Sequence, residues 1–107
     1  NCQVVSAAGE AAFASYRFNS VDAGGLTSYF YRSRGASIGT NTVVQSGDTI
    51  ANLAFSGADS TSYIRAAQIG VQVDGTPGAG SMPGRLVFST TPTGSASPTE
   101  RMRNNSS

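Results

Sequence analysis

Turn-forming residues recur about every ten positions along this chain, and that spacing limits what it can fold into. Thirteen Gly and four Pro are spread across 107 residues, so no segment runs long enough for a stable helix. Between the breaks the pattern has period two. In Tyr63 to Val73, Ala67, Ile69, Val71 and Val73 fall on one side and Gln68, Gly70 and Gln72 on the other. Alternation of this kind marks a half-buried strand. Ala11–Phe18 alternates similarly, Asp22-Ala23-Gly24-Gly25 reads as a turn, and Leu26–Arg34 is rich in aromatic and hydroxyl residues, so the two segments predict a hairpin.

Further strands are expected over 41–45, 49–55, 85–90 and from Glu100 to Arg103, with loops at 56–60, 74–84 and 91–99. The fold class is therefore all-β, with short antiparallel strands in a sandwich-like module. Apolar residues make up 38% of the chain, below the roughly 45–50% of ordinary domains, a count that includes Gly. Gly closes that gap without contributing to a core. Such a composition fits a domain whose missing core surface comes from neighbouring subunits, better than a loop-rich monomer.

The charge inventory excludes several functions. Seven Arg stand against six acidic residues, with no Lys and no His. A net charge of +1 with no basic stripe argues against nucleic acid. Absent His removes the usual general base and metal ligand, so the many Ser lack their usual activator. No run approaches the roughly 20 apolar residues of a membrane span, and the N-terminal residues lack the pattern of a secretion signal. Cys2, the single Cys, supplies neither an internal disulfide nor a zinc set and reads as incidental.

Motif shapes that suggest chemistry have simpler explanations. Gly78-Ala79-Gly80 is followed by Pro83 and by no helix, so it lacks the N-terminus that cradles phosphate. Asp48, Asp59 and Asp74 offer oxygens for calcium without the alternating spacing of a calcium loop, and turn capping accounts for them. Neither a carboxylate pair nor a triad stands out, and no cofactor is expected. Arg32 with Arg34 and Arg101 with Arg103 fit carboxylate pairing at a strand or subunit seam better than a basic patch. Tyr29-Phe30-Tyr31 is expected in the core rather than as a sugar platform.

Four elements carry a resemblance. Phe30-Tyr31-Arg32-Ser33-Arg34-Gly35 with Ser37, the run Gly47 to Asp59, Ala67-Gln68-Ile69 with Val73 to Gly78, and above all Met82 to Arg103 resemble, in order, elements of phage and prophage tail-fibre proteins. The resemblance covers residues 29–103. Residues 1–28 match nothing, and 104–107 form a polar tail where the family continues with an apolar strand residue.

That family implies a β-rich homotrimeric fibre segment of the virion, often upstream of a chaperone-type C-terminal domain. It binds other virion proteins and attaches the particle to a host surface glycan or protein. On this reading Arg34 and Arg101 pair with Asp48 or Glu100, within or across subunits. Receptor contact falls on exposed loops, with Thr76, Ala79, Ser81 and Met82 as candidates, or on 91–98. The competing readings are a monomeric carbohydrate-binding β-sandwich and a head or capsid decoration fibre.

Overall fold

In the computed structural model, which describes residues 3–18 and 20–107, the chain is all-β, and no helix occurs among the described residues. Four strands, β1 (Thr49–Ala58), β2 (Tyr63–Val73), β3 (Gly84–Thr90) and β4 (Thr99–Asn104), form one open antiparallel sheet. The order β1-β2-β3-β4 is a meander, in which each strand pairs with its sequence neighbour. β2 occupies the alternating run the sequence predicts. The last strand extends through Asn104, which pairs with Leu86, so the expected polar tail begins as sheet.

The expected hairpin in the N-terminal third does not form, nor does a strand at 41–45. Among the described residues before Thr49 there is no strand. Among the described residues no backbone hydrogen bond closes a turn at Asp22–Gly25. The Gly24 N–H donates to Asp22 Oδ1 at 3.0 Å, and Arg17 reaches the Asp22 carboxylate at 2.7 Å and the Gly25 carbonyl at 3.2 Å. Alternation shows that a segment can be a strand without supplying an edge to pair with. Cys2 lies outside the described residues.

Register gives the sheet two unlike faces. Directly paired residues share a face, and three irregularities shift the alternation: between Thr49 and Ala51, between Phe55 and Ser56, and between Phe88 and Ser89. Through these pairs one face gathers Ala51, Leu53, Phe55, Ile64, Ala67, Ile69, Val71, Val73, Leu86, Phe88 and Met102, with Thr90, Thr99 and Asn104 at its margin. The other gathers Asn52, Arg65, Gln68, Gln72, Arg85, Ser89, Glu100 and Arg103, with Val87 beneath them. One greasy and one wet face is the pattern of a sheet meant to be covered on one side. The described residues supply no second sheet, so the expected sandwich layer is not made by this chain alone.

Burial is correspondingly sparse. Among the described residues Val44, Val73 and Val87 are the buried hydrophobic ones, and only Val73 is wholly enclosed. Two turns fix the ends of β1. Before it, Gly47 sits at φ +87° and donates its N–H to the Val73 carbonyl at 2.9 Å. After it, Asp59 Oδ1 accepts the N–H groups of Thr61 and Ser62, at 2.9 and 2.8 Å. Open space surrounds the Cα of Gly47, so Gly47→Ala costs strain alone, about 1–2 kcal/mol. Ser60, the one described non-Gly residue at positive φ (82°), predicts the reverse. Ser60→Gly gains about 0.5 kcal/mol once the flexibility of Gly is subtracted. Denaturant midpoints of both variants check the pair.

Candidate functional site

The Gln45–Asp48 turn delivers Asp48 to the junction between β1, β2 and the chain that precedes the sheet. The Asp48 N–H donates to the Gln45 carbonyl at 3.0 Å, and its own carbonyl accepts the Val73 N–H at 2.8 Å. The side chain is only 11% exposed and receives three donors. Arg34 grips it with both arms, Nε to Oδ2 at 2.6 Å and Nη2 to Oδ1 at 2.8 Å, and the Gln45 N–H adds a contact at 2.9 Å. Arg32 stands 3.9 Å away and donates to the Thr49 carbonyl at 2.5 Å. The Arg34 hydrogen bonds, then the Gln45 amide, hold the Asp48 carboxyl far below the usual carboxylate range, and Asp48 in turn raises Arg34.

Ser33, between the two arginines, organises the adjoining loop. Its hydroxyl donates to the Thr40 carbonyl at 2.6 Å and accepts the N–H groups of Gly35 and Thr42 at 2.9 and 3.0 Å. Gly35 has no room for a side chain, because a Cβ there would stand 2.8 Å from Thr40. Each residue of the Arg32-Ser33-Arg34-Gly35 run therefore has a structural duty in clamping residues 32–42 to the sheet. Spacing alone did not reveal the role of Ser33, since its partners lie seven to nine residues away.

Beside this clamp lies an open cleft of about 450 Å³. Its walls are Arg32, Ser33 and residues 41–44 on one side and Gly78, Ala79 and Met82 on the other. The second wall is a tight loop closed by reciprocal hydrogen bonds between Gly78 and Ser81, both 3.0 Å. The structure thus sets two of the four candidate loop residues, Ala79 and Met82, against Arg32. Thr76 and Ser81 are exposed but outside the lining.

Within the chain, Arg101 pairs with neither Asp48 nor Glu100. Glu100 pairs with Arg103, at 2.5 and 2.9 Å, while Arg101 donates Nε to the Thr90 hydroxyl at 2.9 Å. The irregularity opposite Phe88 and Ser89 makes Arg101 the extra residue, so the two arginines no longer alternate together. Tyr29 and Tyr31 are likewise not in the core. They share a side, stack on each other with centroids 5.4 Å apart, and are 68% and 86% exposed.

A second polar cluster was not anticipated. Arg85 spans Gln72 at 2.8 Å and Asp74 at 3.3 Å, and Asp74 also accepts the Ser106 N–H at 2.8 Å. No pattern in the sequence marks this cluster, because Arg85 meets Gln72 only through the register of β2 with β3. Among the described residues no three His, Cys, Asp or Glu side chains group closely enough to hold a metal ion. No protein-family model and no curated protein sequence matches the chain.

Proposed function

We propose that this chain is a structural segment of a phage tail fibre, assembled as a homotrimer in the virion and serving attachment to a host surface. The observation that carries the reading is surface left uncovered. A compact monomer of 10.9 kDa exposes about 5,600 Å². This chain exposes 8555 Å², with Phe13, Tyr16, Phe18, Tyr31, Leu53 and Phe55 among its open hydrophobic side chains. Its radius of gyration is 17.7 Å, against about 13 Å for a compact domain of this length. Copies that share one core account for both excesses and supply the second layer that the open sheet lacks. The ordered tail-fibre-like elements along residues 29–103 add the biological context.

Catalysis has no part in this reading. Asp48, Asp59, Asp74 and Glu100 are all held below their ordinary titration range by hydrogen bonds or Arg partners. A general acid requires a shift in the other direction. The receptor-facing part is the cleft wall at Ala79 and Met82, next to Arg32, with a host glycan or protein as ligand.

A monomeric carbohydrate-binding module is the second reading, favoured by the exposed Tyr29–Tyr31 stack, since aromatic faces suit sugar rings. Titration of the purified chain against bacterial surface polysaccharides, with reducing-end release followed in parallel, tests the proposal. Saturable binding by an assembled chain, weakened by Met82→Glu and without bond cleavage, is expected. Released reducing ends, or equal binding by a single chain that loses it in Tyr31→Ala, would contradict it.

A further inference from the structure

The apolar side of the sheet has a definable occupant. We infer that it is the seam between copies of this chain, each sheet packing that face against the same face of two neighbours in a closed ring. The inference rests on the assembled state proposed above and adds which surface is shared.

Three observations support a second and third copy rather than an unrelated partner. The first is charge. Among the paired residues of β1 to β3, every charged side chain (Arg65 and Arg85) belongs to the opposite face. On β4, Glu100 and Arg103 also lie there, and only the extra residue Arg101 remains at the margin, tied to Thr90. A face without charge can meet its own copy with no like-charge repulsion and no unpaired ion. The second is incomplete burial. Leu53, Phe55 and Met102 are 50%, 55% and 59% exposed, although Ile69, Val71, Leu86 and Phe88 beside them are already half-buried. The face is thus covered at its centre strands and open along both edge strands, where neighbours on either side would approach.

The third is where the opening lies. Much of the chain's exposed hydrophobic surface, such as Phe13, Tyr16 and Phe18, precedes β1, and the share on this face is split between Leu53 and Phe55 on β1 and Met102 on β4. Two separate open edges take two contacts per chain, which is the geometry of a cyclic assembly rather than of an isolated pair. The opposite face needs no cover. Asn52 lies over Gly70, where an added Cβ would meet its Oδ1 at 2.6 Å, and Gln72, Arg85 and Asp74 satisfy one another. That side already covers its own Val87 and Ser89, each 7% exposed, beneath its polar network.

Leu53 and Asn52 are adjacent on an edge strand and face opposite ways, which makes them a matched pair of probes. In a Cys2→Ser background, Leu53→Cys and Asn52→Cys are treated with a maleimide in the native state and again in guanidinium, with molar mass measured for each. The expected result is loss of native labelling at position 53, full native labelling at position 52, and equal labelling of both once unfolded. Met102→Cys probes the same face from the other edge strand and should be protected like position 53, so failure of one variant to fold leaves the other. A trimer in which positions 53 and 102 label as fast as position 52 would overturn the seam while leaving the fibre reading intact. A folded single chain that labels at all three positions would overturn both.

Discussion

Asp48→Asn should lower the melting temperature at neutral pH and remove much of the acid sensitivity of the fold. The carboxylate is gripped by both arms of Arg34 and by the Gln45 amide, and its titration lies far below the ordinary Asp value. A group whose folded pKa is depressed stabilises the fold fully above its unfolded pKa, about 3.9, and loses that contribution as pH falls through the folded value. Stability of the parent should therefore be level between pH 7 and about 5 and decline below about 4. Asn cannot accept from both arms of Arg34, so the variant begins lower and declines less steeply. Some slope remains, because Glu100, Asp59 and Asp74 are depressed too. Melting curves from pH 7 to 2.5 give the comparison. Arg34→Ala should match the neutral-pH loss, while Arg101→Ala, which gives up one hydrogen bond to Thr90, should lose less. Equal melting temperatures for Asp48→Asn and the parent, with parallel acid limbs, would remove Asp48 from its place at the junction.

Val73→Ala has the largest expected cost among core truncations, about 2–3 kcal/mol from two lost methyl-sized groups and the cavity they leave. Val73 is the only fully enclosed side chain among the described residues, and its backbone holds the Gly47–Asp48 turn from both sides, through its own N–H and carbonyl. Its neighbours are therefore fixed and relax poorly into the space. Ile38→Ala, at a wholly exposed site, is the matched control and should stay within about 0.5 kcal/mol. Guanidinium unfolding at one protein concentration compares them, because an assembling chain has a concentration-dependent midpoint. A Val73→Ala midpoint indistinguishable from that of Ile38→Ala would place the core elsewhere.

Where the sequence made a local pattern and a partner visible together, the fold was legible. β2 could be bounded to the residue because alternation, flanking turns and two pairing strands agree. β1 runs three residues beyond Phe55, since the turn that ends it is set by Asp59 rather than by Ser56-Gly57. The N-terminal hairpin failed for a different reason. Tyr16 with Phe18 and Tyr29 with Tyr31 do line up on one side as period two requires, but each pair stacks only on itself in the single chain. The Arg34–Asp48 pair is one of the pairings that the tail-fibre resemblance implied, with Glu100 left open as the alternative. The Arg101 pairing does not form within the chain, because one extra residue in β4 turns Arg101 toward Thr90 and leaves Glu100 to Arg103. A bulge reverses facing without leaving a mark in composition.

The account turns on the claim that this chain does not complete its own core. Molar mass by light scattering across a dilution series tests it most directly. A stable species at three times the 10.9 kDa chain mass is predicted, persisting until unfolding. A cooperative, well-folded species at 10.9 kDa throughout would contradict it.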